Sequence, residues 1–199
     1  MIVIRPARPE DADQVVPLMY ESSRDLLDYS FRSSNEAPTS FLVRDFMRGR
    51  GLFGYENQIV AVDGERVVGT MTVYAGRRAT ELSLKTMLSA FRHWSFGRFF
   101  AFVRRSLAIA PLFIPPRKDG VFLANACVAS SHRGQRIFSL LLAAAASRGA
   151  ARVVELDVSF ANTNAQKIYE HLGFRVTGER AYHGTRALDG FRRMELTTT

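Results

Sequence analysis

Hydrophobic and polar residues recur along this chain with two different periods, which predict its helices and strands. Residues 2–4 form a short apolar strand, and residues 8–19 then place apolar side chains at helical spacing. Residues 26–50 are mixed in character and are predicted to be largely helical. Residues 57–76 contain two β-rich runs on either side of Asp63-Gly64, the pattern of a hairpin with a tight turn.

The second half repeats strands and helices in alternation. Buried strands are predicted over 121–129 and 151–159, and a last strand over 191–198. An apolar helix follows the first of them and is predicted to end at Gly149, and a short helix runs through 162–173. Alternating strands and helices predict an α/β domain. Because the first half contributes a hairpin, the sheet is expected to be mixed rather than fully parallel.

Composition indicates one ordinary globular domain over 1–199. Of the 199 residues, 47% are hydrophobic and 23% are charged. The net charge is +8, and it is concentrated in one insert, residues 76–119, where nine Lys or Arg face only Glu81 and Asp119. The basic character therefore belongs to this insert, which is rich in aromatic residues and predicted to be helical.

The N-terminal segment, the hydropathy and the few Cys and His residues exclude several classes of protein. The N-terminal apolar run is only four residues long, and no stretch is apolar enough to span a bilayer, so a cytoplasmic protein is expected. The single cysteine, Cys127, cannot form a disulfide within the chain and is interpreted as a small core residue. No His or Cys spacing is typical of a metal site, and none is predicted.

The junction between the strand 121–129 and the next helix is the first candidate for chemistry. Helix N-termini leave backbone N–H groups unpaired and carry partial positive charge, so they suit anions. Arg133 and Arg136 add full charges that match phosphate geometry. On these residues alone, an ordinary strand-to-helix turn with solvated arginines explains the pattern equally well.

A second motif strengthens the case. In "LDVSFANTNAQKIYEHLGF", Asn162 precedes Tyr169 by seven residues and Ala165 by three, and Gly173-Phe174 follow. Ala165 and Tyr169 are four residues apart, so they share one face of a helix.

The two motifs together resemble the GNAT N-acetyltransferase superfamily. The family's loop reads Arg/Gln-x-x-Gly-x-Gly/Ala, and its second motif reads Asn-x-x-Ala-x-x-x-Tyr followed by Gly-Phe. The second motif matches completely, and the positions of the first are occupied by Arg133, Gly134, Gln135, Arg136, Ile137 and Phe138. The resemblance extends over the chain except for the insert. It implies a mixed, mostly antiparallel central sheet flanked by helices, with a helical insert between two strands.

The resemblance also implies acyl transfer from acetyl-CoA to a primary amine, by direct attack in a ternary complex. Backbone groups near Cys127 and Val128, left free where strand 121–129 separates from its neighbour, would bind the pantetheine arm and polarise the thioester. Backbone N–H groups from Gly134 to Ser139 would hold the pyrophosphate. Asn162 would bind the cofactor arm beside Ala165, and Tyr169 would protonate the departing thiolate.

Two departures from the family pattern qualify this expectation. Arg136 and Phe138 stand where glycine or alanine is usual, and both are expected to have helical dihedrals, so CoA binding should be weakened but retained. The family's strand glutamate is absent. A chain of waters, Asn125 or Glu81 could then serve as the general base. These departures keep open an alternative, a CoA- or acyl-binding module of the same fold with little catalysis.

The insert itself allows three interpretations. It could pack its aromatic face on the domain or on a second subunit, which would make a homodimer. It could be a lid over the acceptor site, making an apolar pocket with a cationic rim that would favour an anionic or apolar acceptor, the acceptor being a small-molecule or peptide amine. It could also contact nucleic acid or an anionic membrane surface, the least favoured of the three.

Overall fold

The structure is a computed structural model, and it describes residues 1–31, 36–148, 152–185 and 188–198. These residues form one sheet with helices on both faces. The strands are β1 (Ile2–Pro6), β2 (Gln58–Asp63), β3 (Arg66–Ala75), β4 (Val121–Val128), β5 (Val153–Ser159), β6 (Arg175–Thr185) and β7 (Leu188–Thr197). The helices are α1 (Ala12–Ser22), α2 (Arg24–Phe31), α3 (Pro38–Arg48), α4 (Ala79–His93), α5 (Phe96–Ile109), α6 (Ile137–Ser147) and α7 (Thr163–His171).

The sheet is mostly antiparallel, as predicted. Its strands lie in the order β1-β2-β3-β4-β5-β7-β6, and among the described strands only β4 and β5 run parallel. The parallel pair follows from its connection, because β4 leads through α6 and back to β5 on the same sheet. The hairpin β2–β3 turns at Gly64, whose φ of 58° is a left-handed conformation that glycine adopts without strain.

Side chains that alternate along the strands build a core on each face. On β2, Val60 and Val62 pack with α1 and α3, whereas Ile59 and Ala61 pack on the opposite face with α6. The central strands are therefore apolar on both faces, which is why the sequence shows them as continuous hydrophobic runs.

Part of the insert is core. Helices α4 and α5 connect β3 to β4 in the sequence. In this segment Trp94 and Phe102 are buried against Phe31 of α2 and Phe41 of α3. The centroid of the Phe31 ring lies 5.5 Å from that of Trp94 and 5.3 Å from that of Phe102. These two side chains therefore fix the insert to the domain, as the first of the three interpretations requires.

The C-terminal region contains a strand that the sequence did not indicate. The single strand predicted over 191–198 is β7, and it pairs along its outer edge with β6. Strand β6 is polar and contains two glycines, "RVTGERAYHGT", so it lacks the apolar alternation that identifies a half-buried strand. The predicted helix end at Gly149 lies outside the described residues.

A buried ion cluster joins the end of the insert to the sheet. The Arg193 guanidinium on β7 donates to Glu155 Oε1 at 2.8 Å and to Asp157 Oδ1 at 2.6 Å, both on β5. It also donates to the carbonyl oxygen of Ile114, and Glu155 Oε2 accepts from the backbone N–H of Arg117 at 2.7 Å. Because the cluster is almost fully buried, each of its charges depends on the others for compensation.

Removing Arg193 should therefore be costly. We expect Arg193→Ala to lower the free energy of unfolding by about 3–5 kcal/mol, since two carboxylates would lose their buried partner. Arg8→Ala is the control, because the Arg8 side chain is exposed and its ion pair with the exposed Glu10 is long at 3.9 Å, so its loss should cost about 0–1 kcal/mol. Urea unfolding followed by far-UV circular dichroism measures both, and equal losses would contradict the cluster's role.

Candidate functional site

Strands β4 and β5 separate halfway along their length. They pair only from Val121 to Leu123 on β4, with Val154 to Leu156 on β5. Beyond this point β4 stays paired with β3 as far as Val128, and β5 stays paired with β7 as far as Ser159. The outer edges are thus held while the inner edges diverge. The sequence-based expectation that strand 121–129 separates from its neighbour is confirmed.

A β-bulge at Asn125 accompanies the separation. Thr70 pairs with Cys127 and Thr72 with Ala124, so Met71 alone faces the two residues between them on β4. Asn125 has a φ of 47°, a left-handed conformation that is uncommon outside glycine but that asparagine tolerates better than most residues.

The side chain of Asn125 ties the bulge to two other elements. Its Oδ1 accepts a hydrogen bond from the hydroxyl of Ser23 at 3.0 Å, at the junction of α1 and α2. Its Nδ2 donates to Oγ1 of the buried Thr72 at 3.2 Å, and Thr72 in turn accepts from Gln58 Nε2 at 2.8 Å. The catalytic role predicted for Asn125 stays a prediction, while its two hydrogen bonds position the bulge.

The separated strands open into a cleft of about 1210 Å³. Helix α7 and the loop before α6 complete its walls. The predicted site residues that line it are Asn125, Cys127, Val128, Arg133, Gly134, Arg136, Ile137, Phe138, Ser139, Asn162, Ala165 and Tyr169. Gln135 is exposed and is not among the lining residues.

The loop before α6 presents backbone N–H groups to the cleft. The first hydrogen bond of α6 runs from the N–H of Leu140 to the carbonyl of Arg136 at 3.2 Å. The N–H groups of Ile137, Phe138 and Ser139 precede it, so they have no acceptor within the helix, and no side chain caps this end. Such a helix end attracts anions.

The expected helical dihedrals hold for Phe138 and are wrong for Arg136. Phe138 lies inside α6, but Arg136 is the residue just before the helix and has φ 59° and ψ 18°, a left-handed conformation. The chain reverses its direction here to enter the helix, which explains why glycine is usual at this position. An L-residue with a Cβ atom pays about 1–2 kcal/mol for this conformation.

Arg133 crosses the open end of β4. Its Nε donates to the carbonyl oxygen of Val128 at 3.2 Å, and its Nη2 donates to Glu21 Oε1 of α1 at 2.8 Å. Both groups of this ion pair are exposed, so the pair is weak and can open at little cost.

Tyr169 is held at the base of the cleft by rings on two sides. Its ring centroid lies 5.3 Å from that of Phe138 and 5.9 Å from that of Phe174. Gly173, with a φ of 92°, ends α7 and allows the N–H of Phe174 to bond the carbonyl of Tyr169 at 3.0 Å. Burial raises the pKa of the Tyr169 phenol to about 12, so it is protonated at neutral pH.

Cys127 and Asn162 have more limited chemistry. Burial raises the pKa of the Cys127 thiol to about 11, so at neutral pH it is a neutral thiol and a poor nucleophile. Asn162 caps α7, because its Oδ1 accepts from the N–H of Ala165 at 3.1 Å. What Asn162 can offer a ligand is therefore its amide nitrogen.

Charges of both signs line the cleft. The loop and α7 contribute cationic or titratable nitrogen groups: His132, Arg133, Arg136, Lys167 and His171. The α1–α2 junction contributes Glu21 and Asp25 together with Arg24, and β5 contributes Asp157. Burial raises the pKa of Asp157, although Arg193 opposes this shift. Glu81, considered as a base from the sequence, lies outside the cleft lining and pairs with Lys85 and Arg78.

The acidic residues of the cleft were missed in the sequence. Glu21 and Asp25 lie in the polar stretch "ESSRD", and Asp157 lies in an apolar strand, so none belongs to a motif. Within the described ranges, no cluster of three His, Cys, Asp or Glu could hold a metal, and no helix there is long and apolar enough to cross a bilayer.

The family model for the acetyltransferase (GNAT) family matches residues 24–174 of this sequence. The matched range contains β4, the loop, α6 and α7. The chain belongs to the GNAT family of acetyltransferases. No curated protein sequence matches it significantly.

Solved structures show the same GNAT fold at low sequence identity. An N-acetyltransferase from Staphylococcus aureus superposes with a TM-score of 0.77 at 17% identity, over 98% of this chain and 100% of that one. A polyamine N-acetyltransferase from Drosophila melanogaster gives 0.60 at 15% identity, with both chains fully covered. Diaminobutyrate acetyltransferase from Paenibacillus lautus, in complex with its substrate and coenzyme A, gives 0.56 at 15%, over 99% of this chain and 95% of that one.

The bulge of this GNAT chain can be tested by two substitutions at Asn125. Both Asn125→Gly and Asn125→Ala remove the hydrogen bonds to Ser23 and Thr72, but only alanine meets steric strain at a φ of 47°. We expect the alanine variant to be less stable than the glycine variant by about 1 kcal/mol. Urea unfolding measures the difference, and an alanine variant as stable as the glycine one would argue against the left-handed bulge.

Proposed function

We propose that the protein transfers the acetyl group of acetyl-CoA to a primary amine of a small molecule, by direct attack in a ternary complex in the cytoplasm. The observation that carries the proposal is the β4–β5 cleft, which brings the open end of α6 and the protonated Tyr169 to one site. Acetyl-CoA is the cofactor implied by the family.

The residues of the cleft fit this cofactor. The unpaired N–H groups of Ile137, Phe138 and Ser139 suit a pyrophosphate, and Arg133 and Arg136 supply positive charge beside them. The separated inner edge of β4 leaves backbone groups near Cys127 and Val128 for the amide groups of the pantetheine arm, once Arg133 releases the Val128 carbonyl. Asn162 would contribute its amide nitrogen from the first turn of α7.

Acetyl-CoA, when bound, supplies an acetyl thioester that an amine attacks, forming a C–N bond and releasing the CoA thiol. The Tyr169 phenol keeps its proton at neutral pH and can donate it to the departing sulfur. The backbone of β4 beyond the bulge orients and polarises the thioester carbonyl. The Asn125 hydrogen bonds hold that backbone in place.

The acidic residues support a cationic acceptor. Glu21, Asp25 and Asp157 bring negative charge to the cleft lining, although Glu21 pairs with Arg133 and Asp157 with Arg193. Such charge favours an ammonium group. Two of the solved relatives acetylate amines, a polyamine in one case and diaminobutyric acid in the other. Since no glutamate stands on β4, the amine proton would leave through water in the cleft.

Tyr169→Phe tests the acid role. The substitution keeps the ring packing against Phe138 and Phe174 but removes the proton, so we expect turnover to fall about 100-fold with the CoA dissociation constant unchanged within about twofold. Thiol release is followed with acetyl-CoA and a panel of amines, amino acids and peptides, using the acceptor that reacts fastest. Tyr55→Phe, at a tyrosine outside the cleft lining, is the control.

Three results of that assay separate the possibilities. Unchanged turnover in Tyr169→Phe would refute the acid role while leaving the transferase activity intact. CoA binding without thiol release from any acceptor would favour the alternative, a binding module with little catalysis. Release that depends on a cationic acceptor would support the acceptor class proposed above.

Calorimetry with CoA tests the loop, and it decides whether Arg136 binds a phosphate or obstructs one. We expect binding to the wild type, and about tenfold weaker binding to Arg136→Ala, because a charge-assisted hydrogen bond is lost. Arg66→Ala, at an exposed arginine on β3, should bind as the wild type does. No binding at millimolar CoA would overturn the cofactor assignment, and tighter binding to Arg136→Ala would show that the side chain obstructs the phosphate.

A further inference from the structure

The two helices of the insert leave an unusual apolar surface away from the core. On α4, Leu82 and Ala90 are buried, while Leu84, Leu88 and Phe91 recur at i, i+4 and i+7 on the opposite face and are exposed. Their spacing places them in one row along the helix.

Helix α5 repeats the arrangement. Phe102 and Ile109 are buried, while Phe96, Phe100 and Leu107 share an exposed face. The rings of Phe91 and Phe99 touch edge to face at a centroid distance of 5.1 Å, which joins the two rows where the helices meet. We call the six exposed side chains the apolar ridge: Leu84, Leu88, Phe91, Phe96, Phe100 and Leu107. Each is between 47% and 76% exposed.

The ridge has positive charge beside it. No Asp or Glu occurs from Leu82 to Lys118, and α4 and α5 together carry five Lys or Arg against Glu81 alone. Arg92 follows Phe91 directly, and Arg104 lies one turn after Phe100, so both exposed arginines flank the ridge. Exposed aromatic and aliphatic side chains with flanking arginines are typical of surfaces that insert into the headgroup region of a bilayer.

Charge complementarity favours one of three candidate partners of the apolar ridge: a second copy, nucleic acid or an anionic bilayer. A second copy would bring two surfaces of the same sign together, which opposes self-association through the ridge. Nucleic acid would match the arginines, and Phe91, Phe96 and Phe100 could stack on bases, but Leu84, Leu88 and Leu107 form half of the ridge and are aliphatic, so they could not. An anionic bilayer matches both properties, because acyl chains accept the ridge and lipid phosphates accept the arginines.

We propose that the apolar ridge of α4 and α5 docks the protein on anionic membrane surfaces. Attachment is peripheral: the ridge enters the headgroup and upper acyl region, and Arg92 and Arg104 contact lipid phosphates. The cleft lies on other elements, so attachment does not require acetyl-CoA.

Vesicle sedimentation with the full chain, without CoA, tests this proposal. We expect the protein to pellet with phosphatidylcholine vesicles containing about one third phosphatidylserine, to remain soluble with pure phosphatidylcholine, and to dissociate as salt is raised. Arg92→Glu combined with Arg104→Glu should weaken binding at least 25-fold, about fivefold for each cation removed. Phe96→Ser combined with Phe100→Ser should weaken it at least tenfold.

Matched controls separate a specific surface from general stickiness. Val3→Ser removes an exposed apolar side chain on β1, and Arg66→Glu reverses an exposed charge on β3, so both should bind as the wild type does. All substituted side chains are exposed, and circular dichroism would verify that each variant folds.

Four results would overturn the proposal. The first is no pelleting with anionic vesicles, and the second is pelleting that the ridge variants leave unchanged. The third is a dimer in light scattering that Phe96→Ser with Phe100→Ser dissociates, without vesicle binding, which would identify a second copy as the partner. The fourth is binding to a DNA or RNA oligonucleotide that the same variants abolish, without vesicle binding.

Discussion

Beyond Leu123 and Leu156 the parallel strands β4 and β5 no longer share hydrogen bonds, and the rest of the site is arranged around that separation. Strands β3 and β7 keep the outer edges paired, so both strands remain part of the sheet where their inner edges are open. Backbone groups that a continuous sheet would consume therefore remain available to a ligand. Helix α6 adds the donors of its first turn at the mouth of the same opening.

The separation is maintained by polar contacts from distant parts of the sequence. Asn125 links the bulge to Ser23 on one side and to the buried Thr72 on the other. Arg193 holds Glu155 and Asp157 on the opposite strand. The Asn125 contacts hold β4 and the Arg193 contacts hold β5, so closing the opening would break partly or fully buried hydrogen bonds.

Local patterns in the sequence predicted the framework because local rules determine it. The hairpin turn at Gly64, the alternation of strands and helices, and the Asn162 and Gly173 ends of α7 depend on neighbouring residues. The left-handed conformations of Asn125 and Arg136 do not follow from local preference, since neither residue is a glycine. The polar strand β6 was missed for the same reason: its partner β7, rather than its own pattern, makes it a strand.

In the insert, the sequence likewise did not show which aromatic residues are buried. Its sequence marks it as basic and aromatic, but the order of residues did not distinguish Trp94 and Phe102, which are core, from Phe96 and Phe100, which are exposed. The position of one of these core residues determines where the tryptophan fluorescence of the protein originates. Trp94 is the single tryptophan of the chain, and it lies under Arg98 between Phe41 and Phe102 rather than in the cleft. Emission excited selectively from tryptophan will thus originate in the insert, and it will report the packing of the insert against α2 and α3 without a contribution from Tyr169 in the cleft.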